Sequence, residues 1–277
     1  MTALRFTPLT LTNGLTFKNR LVVPPMASQT ADLNGLATET TINHYHNLAQ
    51  SGAGLVMVEY SHINLAGRSE SNQLGAHDDT CLPGLNQIAT TLHNAGVKTG
   101  LQITHCGGKD SAGISADIMG PSGITVPAYD RVLPTPRAMT LDDIETWQQD
   151  FVNGAIRADK AGFDLVELHC AHGYGINQWL SPLTNQRQDQ YGGSLENRAR
   201  ILLEIVSKIK QAAPRLAVMT RIPGQDGYPG GLSHDDMGHV SQWLVDAGVE
   251  ILNVSSGIGG WNRPKDKRGE GFLVEDA

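Results

Sequence analysis

Short apolar runs alternate with helical patterns along most of this chain, and four of the helical patterns end at a small residue followed by glycine. These pairs are Ser51-Gly52, Ala95-Gly96, Ala161-Gly162 and Ala247-Gly248. Glycine adopts the left-handed conformation that ends a helix at little steric cost, so each pair predicts a helix end just before the next strand. Strictly alternating strands and helices, with strands that are apolar throughout, are typical of a parallel sheet covered by helices.

This pattern predicts six strands and five helices. The strands are expected at Arg20–Pro24, Gly54–Glu59, Lys98–Thr104, Leu165–His169, Ala217–Arg221 and Ile251–Val254, and the helices at Thr38–Gln50, Leu82–Asn94, Leu141–Lys160, Ser194–Ala212 and Ser233–Ala247. Polar residues after the strands favour an α/β fold of the TIM (β/α)8 barrel type, with about six βα units present. An open Rossmann-type sheet is the alternative, but no GxGxxG sequence follows the first strand. Before that strand, Asn13-Gly14 predicts a hairpin with a type I′ turn.

An eight-stranded barrel needs two more βα units than this pattern supplies. Only the 23 residues 255–277 follow Val254, whereas two further units take roughly 60 residues. We therefore expect one barrel domain over residues 1–277 that lacks its C-terminal part, with Gly269–Ala277 leading towards a further helix. A short protein that closes its sheet in its own way is the alternative.

Composition excludes several classes of protein. With 21 Lys and Arg against 28 Asp and Glu, the net charge of −7 argues against general binding to nucleic acid or anionic membranes. Three widely spaced cysteines give neither a disulfide framework nor a zinc or iron–sulfur motif, which suits a reducing compartment. No signal peptide and no apolar run of about 20 residues is visible. We expect a soluble, cytoplasmic protein.

Two histidines and a tyrosine directly follow the fourth predicted strand, in the sequence HCAHGY. Imidazole N–H groups of His169 and His172 that converge on one oxygen could stabilise an enolate. Tyr174, with an ordinary pKa near 10, is a weak acid suited to protonating a basic carbon. Two other interpretations stay open. The pair could bind a metal with Glu167, which shares a strand face with His169, as in a metal-dependent lyase or hydrolase, or one imidazole could be a structural core group.

Polar groups also stand at other strand ends. The amide of Gln102 is complementary to the edge of a pyrimidine-like ring. Arg221 is costly inside a barrel unless an anion or a polarised carbonyl meets it, and an ion pair with Glu167 or Asp226 is the alternative. Pro24-Pro25 cannot continue a hydrogen-bonded ladder, so the backbone there leaves the sheet and could contact a flat ring.

Taken together, these segments resemble the Old Yellow Enzyme family of flavin-dependent ene reductases. The matching stretches are KNRLVVPPM, QITH, ELHCAHGYGINQWLSPLTNQRQDQYGGSLENRARILLEIV and the strand that ends in Arg221. They are most similar to the branch of stress-type ene reductases and 2,4-dienoyl-CoA reductases. The resemblance implies FMN at the barrel mouth, NADH or NADPH as hydride donor, and a small α,β-unsaturated carbonyl substrate whose C=C bond is reduced. It also allows a homo-oligomer.

The resemblance further implies a role for each matching residue. The flavin would be bound by Pro25, Met26, Ala27, Tyr60, Gln102, Arg221 and Ser256. Gln102 would meet its pyrimidine edge, and Arg221 would face the N1/C2 region that becomes anionic on reduction. His169 and His172 would hold the substrate's carbonyl oxygen, and Tyr174 would be the proton donor.

The chain departs from the family pattern in three places. Ala27 stands where some relatives carry a redox-tuning Cys or a Thr, and Gly108 stands where many carry Arg, so one basic contact beside the site is in question. The family's phosphate-binding segments belong to strands seven and eight, so a 277-residue fragment is expected to retain FMN weakly or not at all. An inactive, truncated barrel is therefore a further alternative.

Overall fold

The computed structural model describes residues 3–110, 113–129 and 131–259. Its strands are β1 (Leu9–Thr10), β2 (Thr16–Phe17), β3 (Val22–Val23), β4 (Leu55–His62), β5 (Lys98–Thr104), β6 (Met119–Gly120), β7 (Arg137–Ala138), β8 (Leu165–His169), β9 (Ala217–Pro223) and β10 (Ile251–Ser255). Its α-helices are α1 (Glu39–Ala49), α2 (Leu82–Asn94), α3 (Leu141–Ala161), α4 (Gly175–Leu180), α5 (Leu195–Ala212) and α6 (His234–Asp246).

The main sheet contains β3, β4, β5, β8, β9 and β10 in that spatial order, and all neighbouring strands are parallel. Each strand therefore lies beside the next strand of the repeat. A doubly wound sheet reverses its strand order at a switch point, and no such reversal occurs among the described strands. The order confirms βα units of the barrel type and excludes the Rossmann-type alternative.

The predicted elements agree closely with the observed ones. Two strands and one helix, namely β5, β8 and α2, have the predicted bounds. β3 is shorter than expected because its pairing ends at Val23, before the two prolines, neither of which has a backbone N–H to donate. β4 is longer than expected and runs to His62 through a register shift between Val58 and Ser61. Its polar end is buried, which the sequence pattern did not indicate.

The N-terminal hairpin is present, but its predicted type I′ turn is wrong. Among the described residues of this loop only Gly14 has a positive φ, of +88°, whereas a type I′ turn needs positive φ at both central residues. Leu11 N–H donates to the Leu15 carbonyl at 2.8 Å, and Gly14 N–H donates to the Leu11 carbonyl at 3.0 Å. The loop therefore has three residues, with glycine in the left-handed position that such loops require.

The four predicted helix ends are confirmed by their glycines. Gly52, Gly96, Gly162 and Gly248 have φ values of +78°, +68°, +93° and +84°. At the other end of the helices, Thr38, Thr140 and Ser233 each form a reciprocal capping box with the residue three positions later. Local sequence therefore sets both ends of α1, α3 and α6, and the C-terminal end of α2.

The hairpin covers the amino-terminal ends of the strands. Phe17 of β2 packs with Leu55, Met57, Leu165, Ala217 and Met219 in one buried cluster. Leu165, Glu167 and His169 share one face of β8 because alternate residues of a strand point the same way. Leu165 belongs to the cluster below the hairpin, so Glu167 lies one layer higher and His169 stands at the opposite end of the sheet.

The remaining structural predictions have mixed outcomes. Cys81, Cys106 and Cys170 are buried and form no disulfide with one another. No α-helix in the described ranges is long and apolar enough to cross a membrane. The segment Gly269–Ala277 and the helix expected from it lie outside the described residues.

Candidate active site

A cavity of about 370 Å³ lies at the carboxyl ends of the strands. It is lined by nine of the ten predicted site residues, namely Pro25, Met26, Ala27, Tyr60, Gln102, His169, His172, Tyr174 and Arg221. Ser256 is not among its described lining residues. Its neighbour Ser255 instead pairs with His172, with 2.6 Å between Oγ and Nε2. The volume lies within the range of about 300–1,000 Å³ that is usual for ligand sites.

His172 and Gly173 form a tight turn directly after β8. Their φ values are +61° and +75°, and Tyr174 N–H donates to the carbonyl three residues earlier at 3.2 Å. Two consecutive positive φ values with this hydrogen bond are typical of a type I′ turn. A Cβ on Gly173 would lie 2.4 Å from the Ile258 carbonyl oxygen, so glycine is required there. A histidine held in this costly conformation is characteristic of functional sites.

The imidazoles of His169 and His172 are neutral hydrogen-bonding groups. Their centroids lie 5.0 Å apart with planes at 86°. Ala171 N–H donates to Nδ1 of His169 at 3.4 Å, so the ring proton of His169 lies on Nε2. Burial lowers the pKa of His172 to about 3. The pKa of His169 is held well below its ordinary value by burial and by repulsion from His172 and Arg221. Each neutral ring carries one N–H, and Nε2 of His172 is already paired with the Ser255 hydroxyl.

Tyr174 is held as a neutral phenol beside these histidines. Its ring centroid lies 4.8 Å from that of His169 and 5.5 Å from that of Tyr60. The Nζ of Lys109 lies 4.6 Å above the Tyr174 ring. Burial raises the pKa of Tyr174 well above its usual value, and the neighbouring phenol of Tyr60 adds to this increase. Burial also raises the pKa of Tyr60 to about 12. Tyr174 therefore keeps its proton until a strong base is formed nearby.

Buried hydrogen bonds fix the loop that carries His172 and Tyr174. Gly173 N–H donates to Asn177 Oδ1 at 2.7 Å, and Asn177 Nδ2 donates to Asp226 Oδ1 at 3.1 Å. Ser181 Oγ donates to the other oxygen of Asp226 at 2.6 Å. Burial raises the pKa of Asp226, and these hydrogen bonds oppose that effect. Asn177, Ser181 and Asp226 therefore hold the turn that carries His172 and Tyr174 in place.

Gln102 and Arg221 reach the cavity from β5 and β9, on either side of Glu167. Gln102 Nε2 donates to Glu167 Oε1 at 3.3 Å. Arg221 forms no ion pair within 4 Å with any described residue, and its buried Nε has no hydrogen-bond partner among them. The ion pair with Glu167 or Asp226 that the sequence left open is therefore not formed. Burial lowers the pKa of Arg221, and its positive charge remains available to a ligand.

The segment Pro25–Ala27 is held beside the cavity by a buried carboxylate of β4. Glu59 accepts the backbone N–H of Ser28 at 3.0 Å and the Tyr45 hydroxyl at 3.2 Å. Because β3 pairing has already ended at Val23, the backbone groups of Pro25–Ala27 are not used by the sheet. They are thus positioned to contact a ring in the cavity, as expected from the two prolines.

The metal interpretation requires Glu167, His169 and His172 to bring three ligand atoms together. A metal site needs at least three His, Cys, Asp or Glu ligand atoms close together. Within the described ranges, one such group has its ligand atoms within 4.8 Å of one another, and it consists of His77, Asp78 and Cys81. Those three residues do not line the cavity. The arrangement of Glu167 and the two histidines therefore gives no support to a metal centre.

Comparison with known proteins decides the family. A sequence profile of the NADH:flavin oxidoreductase / NADH oxidase family matches residues 5–268. The chain belongs to this family. An NADPH dehydrogenase from Geobacillus sp. is 39% identical over 258 residues, which is 93% of this chain and 74% of the relative.

Two solved structures have the same fold as this flavin oxidoreductase. The Old Yellow Enzyme homologue of Zymomonas mobilis matches with a TM-score of 0.84 and 26% identity, over 96% of this chain and 79% of that protein. Morphinone reductase matches with a TM-score of 0.80 and 26% identity, over 96% and 75% of the two chains. These matches confirm the predicted barrel fold and the resemblance to Old Yellow Enzymes.

As a member of this family, the protein is an FMN-dependent enzyme that takes hydride from NADH or NADPH. It acts on a small-molecule substrate and passes the hydride to an activated C=C bond. The predictions of cofactor, donor and reaction are therefore confirmed. Neither the metal-dependent lyase or hydrolase nor the inactive barrel is favoured.

The residues of the cavity fit FMN. Gln102 uses one N–H for Glu167 and keeps its amide oxygen and second N–H for a ligand. Arg221 has a buried Nε without a partner among the described residues and can face a ring region that gains negative charge. The backbone of Pro25–Ala27 offers polar groups that the sheet does not use. An amide, a cation and free backbone groups match the polar edge of an isoalloxazine ring.

Sequence reasoning missed several residues of the cavity. Gly108 stands where many relatives carry a basic Arg, so a basic group at this position of the loop after β5 was not expected. The next residue, Lys109, lines the cavity and donates to the His172 carbonyl. Its position directly after two glycines at the end of β5 is the signal that could have identified it. Gln29, Glu70 and Arg131 also line the cavity, and they lie on loops whose sequence has no periodic pattern.

Proposed function

We propose that this cavity binds FMN and an α,β-unsaturated carbonyl compound together, and that His169, His172 and Tyr174 are its catalytic residues. One observation carries this proposal. Two neutral imidazoles and a neutral phenol meet in the same cavity as an unpaired guanidinium and a buried amide. The first group suits a carbonyl that becomes an enolate, and the second suits a flavin ring.

In this proposal the two histidines orient the substrate. The Nε2–H of His169 and the Nδ1–H of His172 donate to the carbonyl oxygen and stabilise the charge that develops on it, with Nε2 of His172 accepting from the Ser255 hydroxyl. Neutral donors serve this purpose well, because they strengthen as the oxygen gains charge and do not transfer a proton to it at the start. Burial keeps both rings neutral across the physiological range of pH.

Tyr174 completes the reaction by giving its phenolic proton to the substrate carbon beside the carbonyl. The high pKa of Tyr174 prevents early ionisation, and only a strongly basic enolate carbon can take its proton. FMN bound by Gln102, Arg221 and Pro25–Ala27 would supply hydride transfer from NADH or NADPH to the β-carbon. Tyr60 lines the cavity beside Tyr174.

Tyr174→Phe tests the assignment of the proton donor. Reduction of an enone such as 2-cyclohexenone is expected to slow by about 10²-fold, because general acid catalysis contributes at least that much. Reduction of the bound flavin by NADPH should keep its rate, since that step needs no proton from a tyrosine. Stopped-flow absorbance at the flavin band measures both steps.

A matched control is Tyr228→Phe, which removes a hydroxyl from a partly buried tyrosine that packs on Tyr129 at 5.0 Å and does not line the cavity. It should behave as the unmodified protein in both steps. Equal losses in the two steps of Tyr174→Phe, or no loss in either, would show that Tyr174 is not the donor.

We also propose that the enzyme works in the cytoplasm. Three buried cysteines that form no disulfide with one another suit a reducing compartment. Fractionation of cells that express a tagged chain tests this proposal, and recovery of the protein with an oxidising compartment would contradict it.

A further inference from the structure

Glu167 is a buried carboxyl group that the proposed chemistry does not use. It lies in the middle of β8 and is 0% exposed. Its Oε1 accepts from Gln102 Nε2 at 3.3 Å and from Asn253 Nδ2 at 3.0 Å. Its Oε2 has no hydrogen-bond partner among the described residues. A buried oxygen without a partner is costly, so the residue needs a reason beyond packing.

The neighbours of Glu167 connect it to both polar groups of the proposed flavin site. Gln102 lies directly opposite on β5, and Arg221 on β9 is the charged group that acts on it electrostatically. Asn253 on β10 is uncharged, and the Cys170 thiol is the titratable neighbour on β8 itself. Burial raises the pKa of Glu167 to about 7, and attraction to Arg221 opposes that rise.

The hydrogen bond to Glu167 also decides how Gln102 is presented. An amide side chain can turn by 180° about its last bond and exchange its oxygen and nitrogen. Oε1 of Glu167 accepts from the side-chain amides of Gln102 and Asn253. If the Gln102 amide were flipped, its oxygen would face this acceptor oxygen and the two would repel each other. Gln102 is therefore held with Nε2 towards β8, which leaves its oxygen and second N–H for the cavity.

We propose that Glu167 is a positioning residue for the FMN site, which fixes the amide of Gln102 and offsets the charge of Arg221 from beneath the cavity. This inference rests on the proposed function of the cavity. It predicts two separate effects. The acceptor oxygen of Glu167 governs how tightly FMN binds through Gln102, and the charge of Glu167 governs how easily the bound FMN is reduced.

Two substitutions separate these effects. Glu167→Leu removes the acceptor, so the dissociation constant of FMN should rise by at least about tenfold, the cost of one buried partner lost. Glu167→Gln keeps an acceptor oxygen but removes the charge, so FMN affinity should change less than about threefold. At pH 8 the midpoint potential of FMN bound to Glu167→Gln should be higher than that of FMN bound to the unmodified protein. Reduction adds negative charge to the ring, and the variant lacks the nearby carboxylate charge that opposes this. At pH 6 the two potentials should coincide, because Glu167 is then largely protonated.

Fluorescence of released FMN gives the affinity, and a dye-coupled reductive titration gives the potential. Glu204→Gln is the matched control, because Glu204 also accepts from a glutamine, at 2.6 Å from Gln148 Nε2, but lies between outer helices. It should leave both quantities unchanged. Glu167→Gln retains the buried hydrogen bonds, so the potential can be measured even if Glu167→Leu does not fold.

Each contrary outcome is distinguishable. FMN affinity equal to that of the unmodified protein in Glu167→Leu would overturn the positioning of Gln102. A potential in Glu167→Gln that matches the unmodified protein at both pH 6 and pH 8 would overturn the charge effect. Weak binding of FMN by the unmodified chain would still allow both comparisons at saturating FMN. If that chain bound no FMN at all, the proposed function would fail and this inference would fail with it.

Discussion

Replacing both His169 and His172 by alanine is expected to lower enone reduction by about 10⁴-fold. Each N–H donor to a developing oxyanion contributes about 10²–10³ to the rate, and the two rings act on the same oxygen. The loss should appear in the step in which the reduced enzyme reacts with the enone. A single substitution should cost less, because one neutral donor remains in the cavity.

The measurement is a stopped-flow comparison of the two single variants and the double variant, with 2-cyclohexenone as oxidant. His46→Ala is the control, because His46 is exposed on α1 and does not line the cavity. It should keep the unmodified rate. A double variant that reacts with the enone within about threefold of the unmodified rate would rule out the two histidines as the carbonyl-binding pair.

The agreement between sequence and structure at this site has a physical cause. In a parallel sheet of βα units, the residues at the carboxyl ends of strands meet at one edge, whatever their distance in the chain. Gln102, His169 and Arg221 stand at or near the ends of β5, β8 and β9, so locating the strands was enough to bring them together. The strands were located from apolar runs and helix-ending glycines, which are local signals.

Features that depend on packing across the sheet could not be predicted in this way. The left-handed conformation of His172 is imposed by a turn whose glycine fits against the Ile258 carbonyl, more than 80 residues away in the chain. Lys109 was missed because its role depends on the position of the His172 carbonyl. Glu167 was considered a metal ligand from its strand face, whereas its partners on β5 and β10 became visible only when those strands were paired.

The end of β4, which carries Tyr60 to the cavity, was also not predictable from the local sequence pattern. The apolar pattern of β4 ends at Glu59, yet the strand continues through buried polar residues to His62. Tyr60 lies in that extension, and its place in the cavity followed from resemblance alone. Buried polar strand ends are the parts of an enzyme where the hydrophobic pattern gives way to the requirements of the site.

Between pH 7 and pH 5 the free energy of unfolding is expected to fall by at least about 4 kcal/mol. Burial lowers the pKa values of His62, His105 and His172 to about 3, from an ordinary value of 6.5. The unfolded chain therefore binds more protons than the folded chain once the pH falls below 6.5, so stability is present above that value and is lost as the pH falls. At pH 5 the loss is about 2 kcal/mol for each histidine.

Glu167 acts in the opposite direction, because its pKa is raised to about 7 in the folded protein. The folded chain takes up this proton before the unfolded chain does, which returns about 2 kcal/mol at pH 5 and reduces the net loss to about 4 kcal/mol. His169 adds to the loss, because burial also holds its pKa well below the ordinary value. Since domains are stable by only about 5–15 kcal/mol, the native state becomes marginal near pH 5.

Urea unfolding followed by tryptophan fluorescence at pH 7.5, 6.0 and 5.0, without added flavin, measures this slope. His62→Gln should flatten it by about 2 kcal/mol between pH 7 and pH 5, because one buried imidazole no longer titrates. His46→Ala, which removes an imidazole from the surface of α1, is the matched control substitution. A free energy of unfolding that does not fall over this range would mean that the buried imidazoles are hydrated and titrate normally. The neutral donors proposed for the active site would then be charged at mildly acidic pH, so the stability curve also tests the electrostatic basis of the catalytic assignment.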